Sequence, residues 1–306
     1  MEVTLVQQNG AMTVPVSFLR LQTGLSAAGI LEWESPCREV SPQNGDMVRL
    51  GDVFQGYVFR SEDTGRSKRA VCYDQVKYLL YRDTREFTGK TAAEILREII
   101  RERELAAGEI AETGVALPSY LCENRTLLAM VQGALEETRK ASGREYVLFD
   151  RCGALCLQNV ENTAAGVLLC GENQIASYRQ SADIDGDTYT RFKLLQEDRR
   201  SGFRRVTEAE NAENRKKWGV LQYFERVDHS WNAAQVNARL ESLRKSCGGE
   251  RRTLEMEGLG DMACLAGRTV LCRLPEETAE RRYLIEESVI SGQGDALRMR
   301  LKLREV

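Results

Sequence analysis

Residues whose types and spacing can do chemistry are few in this chain. Asp183-x-Asp185-Gly186-Asp187 places three carboxylates around a glycine, the oxygen-rich composition that a hard cation such as calcium takes. Counted from Asp183, an EF-hand would need glycine at its sixth position and a bidentate carboxylate at its twelfth, where the chain has Thr188 and Leu194. The stretch therefore reads as an acidic turn leading into a strand. The sole histidine, His229, stands in Val-Asp-His-Ser-Trp with no serine or cysteine nucleophile signature beside it, so it reads as a solvated loop residue. Nine cysteines include no Cys-x-x-Cys pair; the closest spacing, Cys152-x-x-x-Cys156, spans an expected hairpin turn. Zinc wants clustered ligand pairs, so buried reduced thiols are the expectation and no metal is. Gly258-x-Gly260 lacks the third glycine and following helix of a dinucleotide fingerprint, and no cofactor is expected. Paired carboxylates can hydrolyse glycosides without histidine, but acidic residues are so numerous that spacing singles out no pair.

One basic cluster stands out. Arg199, Arg200, Arg204, Arg205, Arg215, Lys216 and Lys217 surround Phe203, as a phosphate-binding surface with a base-stacking ring would. Glu208, Glu210 and Glu213 neutralise much of it, leaving a mixed-charge surface loop. Arg199, Arg200, Phe203, Arg204, Arg205, Lys216, Lys217 and Trp218 are the candidate assembly-contact residues. All but Trp218, which follows it, lie in Glu197 to Lys217, a polar excursion between a strand arm at Asp187–Gln196 and a returning arm at Val220–Phe224. A loop of that length is usually functional or disordered, and contact with something else is expected there.

The elements that must carry these residues change period along the chain. In the 306 residues, 43 basic and 46 acidic side chains give a net charge of -3, so no global field favours nucleic acid or an anionic membrane. A hydrophobic fraction of 42% and a charged fraction of 29% are those of a folded protein. No apolar run approaches the roughly 20 residues that span a bilayer, and Met-Glu-Val-Thr-Leu-Val-Gln-Gln lacks a basic region followed by an apolar core, so synthesis and retention in the cytoplasm are expected. Period-two alternation predicts strands at Met12–Leu19, Ile30–Glu34, Met47–Leu50, Val53–Arg60 and Lys68–Tyr73, with Pro15 at a sheet edge. Thr91-Ala92-Ala93-Glu94 is a capping box that starts a helix carrying Ile95, Leu96, Ile99 and Ile100 on one face. A second helix after Asn124 carries Leu127, Leu128, Val131 and Leu135, and a hairpin over Glu145–Val160 turns at Arg151-Cys152-Gly153. Later strands are predicted at Val167–Leu169, Arg252–Glu257, Met262–Leu265, Thr269–Leu274, Tyr283–Ile290 and Ala296–Leu303. A helix near 231–245, capped by Ser230 or Asn232, shows Trp231, Gln235, Ala238 and Leu240–Leu243 at helical spacing. The last strand alternates Leu297, Met299, Leu301 and Leu303 with Arg298, Arg300, Lys302 and Arg304, a core face and a basic face.

Several stretches together resemble a known family. Val53-Phe54-Gln55-Gly56-Tyr57-Val58, Tyr73-Asp74-Gln75-Val76-Lys77-Tyr78-Leu79, Lys90-Thr91-Ala92-Ala93-Glu94-Ile95 and Tyr146-Val147-Leu148-Phe149-Asp150 come first. Asp187-Thr188-Tyr189 and Lys217-Trp218-Gly219-Val220-Leu221-Gln222-Tyr223-Phe224-Glu225 follow. In order and spacing they are similar to the XkdQ-like hub proteins of contractile phage tails and tail-like particles, over about residues 45 to 306. The resemblance implies a β-rich α+β fold of two tail-tube-like β-barrel domains, 1–75 and 163–306, with an α+β middle unit at 76–162. It implies no catalysis. Three copies would form a homotrimeric ring that joins a hexameric tail tube protein to a trimeric central spike protein, among other baseplate proteins, with strand edges and the loop 197–217 making the intersubunit contacts, no membrane and no specific nucleic acid bound, and a channel through which DNA or cargo could pass. The mature location would be a baseplate, after synthesis in the host bacterial cytoplasm. The rival readings are a tail-associated cell-wall hydrolase, which needs a carboxylate pair open to substrate, and a nucleic-acid-binding module, which would show salt-dependent DNA binding.

Overall fold

The structure is a computed structural model describing residues 1–171, 174–198, 201–275, 277–293 and 296–306. The fold is β-rich α+β, with four α-helices among the described residues. It has two compact units: residues 1–134, 146–180 and 253–306 form the first, and 135–145 with 181–252 form the second.

The first unit is built on one sheet to which strands from the start and the end of the chain both belong. Its order is Ile175–Asp183, Arg251–Leu259, Ala296–Glu305, Arg281–Gln293, Phe18–Gly24, Ala27–Ser35, Lys68–Tyr73, Phe54–Asp63, Met47–Leu50, Glu2–Gln7, Gly10–Pro15. Arg281–Gln293 is the junction. Its first residues pair with Thr269–Arg273 and its later ones with Phe18–Gly24, so that Leu284 lies opposite Thr269 and Ile290 opposite Leu21. A register shift between Ile285 and Glu287 against the neighbouring Ala296–Glu305 marks the change of partner. Alternate residues of these strands meet in one apolar cluster that includes Leu19, Leu21, Leu31, Trp33, Ile285, Ile290, Leu301 and Leu303. Fully burying each such aliphatic side chain stabilises by about 1.5–3 kcal/mol.

The opposite face of the same strands carries cross-strand ion pairs. Arg69 meets Glu34 at 2.9 Å, Arg300 meets Glu257 at 2.5 Å and Lys302 meets Glu287 at 3.3 Å. The final strand therefore has its expected core face, while on its basic face Arg300, Lys302 and Arg304 pair with glutamates. Two other expectations are corrected. The strand expected over Met12–Leu19 is two: Gly10–Pro15 folds back on Glu2–Gln7, and Phe18–Gly24 begins anew. Proline has no N–H for a ladder, and Pro15 ends the strand at the sheet's outer edge. Met262–Leu265 is a turn, because the Asp261 carboxylate accepts from Ala263 N–H at 2.8 Å and its carbonyl accepts from Cys264 N–H at 3.0 Å.

Helix α1, Ala92–Glu102, has the predicted capping box. Thr91 Oγ1 accepts from Glu94 N–H at 3.2 Å, and the Glu94 carboxylate accepts from Thr91 N–H at 2.8 Å. Its stripe Ile95, Leu96, Ile99 and Ile100 is buried, as are Leu127, Leu128, Val131 and Leu135 of helix α2, Leu127–Ser142. The hairpin pairs Tyr146–Asp150 with Leu155–Asn159, and its turn holds Cys152 and Gly153 at positive φ of 48° and 85°.

The second unit is a three-stranded sheet in the order Phe203–Glu210, Arg191–Asp198, Gln222–Val227, with helix α3, Ala212–Trp218, and helix α4, Ala233–Cys247. The structure replaces the expected irregular excursion over 197–217. Where that region is described, it is an antiparallel strand in continuous register, Arg191 opposite Glu210 and Asp198 opposite Phe203, followed by α3. Asn232 caps α4 in a capping box with Gln235. The helix face against the sheet is Val236, Arg239, Leu240, Leu243 and Cys247 rather than the expected Gln235 and Ala238, which are exposed. It packs on Phe192 and Leu194, with Tyr189, Tyr223 and Trp231 at the margins.

Candidate assembly interface

The small sheet presents the residues that sequence reasoning singled out, in two groups. Phe203, Arg204 and Arg205 open the strand Phe203–Glu210, whereas Lys216, Lys217 and Trp218 end α3. Thr190, just before the central strand, donates from Oγ1 to Gly219 O at 2.8 Å and so holds the end of α3 at the Arg191 end of that strand. Phe203 lies opposite Asp198 at the other end. At about 3.4 Å per residue the two groups are roughly 20 Å apart and form no single patch. Arg199 and Arg200 lie outside the described residues.

Each group has its own setting. Arg204 faces Glu197 across the ladder, and Glu208, two turns of the pleat further on, is gripped by Arg191 and by Lys193 at 3.0 Å. The Glu208 carboxyl is held below the usual carboxylate range by those two hydrogen-bonding cations, Arg191 foremost. Phe203 and Val206 are 43% and 41% exposed, and Phe224 on the other outer strand is 50% exposed. Exposed apolar side chains thus stand on both outer strands of this sheet, whose edges are open among the described residues. Behind this sheet Arg239 reaches from α4 to Glu225, with N–O distances of 2.9 and 3.1 Å in a fork geometry that fixes helix to strand. Arg139 donates to Ser246 O at 3.0 Å, and Ser242 donates to Lys140 O at 2.8 Å, tying the end of α2 to α4.

The chemistry sought elsewhere is not assembled. Among the described residues no group of three His, Cys, Asp or Glu side chains can hold a metal ion. Asp183 and Asp187 are exposed, and Asp187 accepts from the Tyr189 hydroxyl at 3.4 Å. His229 is exposed beside Asp228, 3.6 Å away. The cysteines are free thiols, six of them buried, and burial pushes Cys72 and Cys264 up to about 12, so they stay protonated and unreactive.

One carboxylate pair that spacing could not single out does come together. Asp74 is buried, accepting from Gly29 N–H at 2.8 Å and Val76 N–H at 3.0 Å. Asp150 accepts from Gly153 N–H at 2.7 Å and Gln75 N–H at 3.4 Å. Between them the Gln75 amide donates to Gly153 O and accepts from Ala106 N–H. Burial first, and then the charge of Asp150, hold Asp74 well above its ordinary range; burial raises Asp150 to about 6. A cavity of about 30 Å³ adjoins both, lined also by Phe54, Phe149 and Arg268. That is room for one water and not for a sugar ring. The pair is a knot joining the hairpin to the turn after Tyr73, not a hydrolytic site. Asp74, Gln75 and Asp150 lie in two of the stretches that carry the family resemblance, Tyr73–Leu79 and Tyr146–Asp150.

Comparison with known proteins fits this architecture. The chain matches the model of the YqbQ-like family over residues 19–304. It is 27% identical over 260 residues to the protein YqbQ of Bacillus subtilis (strain 168), covering 83% of this chain and 78% of that one. It is 28% identical over 239 residues to phage-like element PBSX protein XkdQ of the same organism, covering 77% and 72%. The 43 kDa tail protein of prophage MuSo2 from Shewanella oneidensis has the same fold, with a TM-score of 0.64 over 99% of this chain and 98% of its own at 14% identity. The match across residues 19–304, nearly the whole of the chain whose sheet and knot are described above, places this protein in the YqbQ-like family.

Proposed function

We propose that this chain is a structural protein of a phage tail or tail-like particle, and that three copies form the baseplate hub ring between a hexameric tail tube and a trimeric central spike. The observation that carries the reading is the single sheet in which the early and late strand groups stand side by side about Arg281–Gln293. A chain that contributes two tube-like β modules, at about 1–75 and 163–306 with the 76–162 unit between, supplies six modules per trimer. Six modules meet a hexameric tube while the threefold axis meets the spike. The names of relatives support the tail setting, since one is a protein of a phage-like element and a fold neighbour is a prophage tail protein. Its partners are then its own copies, the tube protein, the spike protein and other baseplate proteins, and its work is adaptation of symmetry without catalysis. The test is native mass by light scattering, for the chain alone and co-expressed with tube and spike proteins of the same particle. A mass of three chains, alone or on the spike, is expected; a monomer in every mixture overturns the reading.

A further inference from the structure

The small sheet ends on both sides in main chain that has no ladder partner. Among the described residues, Phe203–Glu210 and Gln222–Val227 pair only with Arg191–Asp198 between them. Unpaired edges bearing exposed Phe203, Val206 and Phe224 are templates for a further strand. We propose that the partner is a second copy of this chain: the Phe203–Glu210 edge of one protomer adds antiparallel to the Gln222–Val227 edge of the next. The proposal rests on the ring reading above and names the contact that closes it.

Strand direction decides the geometry. Phe203–Glu210 runs antiparallel to the central strand and Gln222–Val227 parallel to it. Antiparallel joining of the two edges keeps the central strands of successive copies pointing the same way, as rotation about one axis requires. Parallel joining would reverse alternate copies and could not close in threes.

Side chains decide the register. Directly opposed residues share a face, so setting Phe224 against Val206 also sets Val227 against Phe203, Tyr223 against Thr207 and Glu225 against Arg205. All the exposed large apolar side chains of these two strands are then covered. Arg205, which has no ion pair among the described residues, comes beside the Glu225 carboxylate that Arg239 already holds in its own chain. The like-charged meeting of Arg226 with Arg204 has Glu197 beside it, the ladder partner of Arg204 in its own chain. A slip of two residues puts Phe224 against Arg204 or Glu208. Two-fold pairing of Phe203–Glu210 with itself, in whatever register, leaves Phe224 bare.

The test uses full-length chains carrying Val206→Cys or Phe224→Cys, co-assembled under the conditions in which the native mass is measured and then mildly oxidised, with the unsubstituted chain as control for its own thiols. Opposed Cβ atoms about 5 Å apart are close to disulfide reach. Covalent dimers are expected in the mixture of the two variants and not in either alone, and the double variant is expected to yield covalent trimers. A third chain, Phe224→Ser, should fold normally because the ring is exposed, and should weaken trimerisation roughly tenfold or more, as removal of a central interface aromatic does. Trimers that form without the mixed cross-link, or that ignore Phe224→Ser, overturn this contact and leave the hub reading standing. A cross-link in Val206→Cys alone overturns it in favour of two-fold pairing. Absence of any assembly with tube and spike overturns both.

Discussion

Asp74 and Asp150 show what a buried charge does when it has main-chain partners but no cation. Each carboxylate accepts two backbone N–H bonds, yet burial wins and both groups are raised, Asp150 to about 6. The sign follows directly. The folded protein holds the Asp150 proton more tightly than the unfolded chain does, so the group's contribution to stability is complete below about pH 4 and is lost as pH rises through 6. Asp150→Asn keeps an oxygen for Gly153 N–H and removes the charge, and with it the repulsion felt by Asp74. The variant should be more stable than the parent at pH 8 by about 2–3 kcal/mol, with the gain shrinking toward pH 4. Urea melts at pH 4.5, 6 and 8 measure this, and a gain that does not change with pH would remove charge burial as its cause.

At the scale of elements, helix α1 offers the cleanest test of local coding. Thr91→Ala deletes the hydroxyl that accepts from Glu94 N–H and should cost about 1 kcal/mol, seen as a lowered denaturant midpoint with an unchanged slope. Thr91 and Glu94 were legible because a capping box is written in adjacent letters, and the stripe Ile95 to Ile100 because one face of α1 is buried. The strand Phe203–Glu210 was not legible for the opposite reason. Most of its residues are exposed, so Phe-Arg-Arg-Val-Thr-Glu-Ala-Glu shows no alternation of apolar with polar, and only its pairing with Arg191–Asp198 makes it a strand. The α4 stripe was misread by one position because Arg239 turns inward to Glu225, which places a charged residue where periodicity looks for an apolar one. The candidate contact residues shared a stretch of sequence, and the intervening strand carries the two groups to opposite ends of the sheet. The Asp74 and Asp150 pair was invisible to spacing and present only as letters inside stretches that resemble a family.

For the whole molecule, the apolar cluster decides what can fold alone. Val3, Leu19, Leu31 and Cys72 from the start of the chain share it with Leu254, Ile285, Leu301 and Leu303 from the end. A fragment of residues 1–75 would expose that face and the edge of Phe18–Gly24. It should be insoluble or molten when expressed alone, and should become ordered when residues 163–306 are supplied in trans. Sedimentation and amide dispersion by NMR report the outcome, and a well-dispersed monomeric fragment would show that the first strand group is self-sufficient.

The junction strand Arg281–Gln293 also sets an order in time. Leu21 and Ile290 are neighbours in the finished sheet, but a ribosome adding about 5–20 residues per second delivers the second on the order of tens of seconds after the first. Throughout that interval the nascent chain carries Phe18–Gly24 as an open strand edge. Closure of the sheet is therefore a late event in synthesis, and a copy becomes competent for assembly only when nearly all of the chain described here has been made.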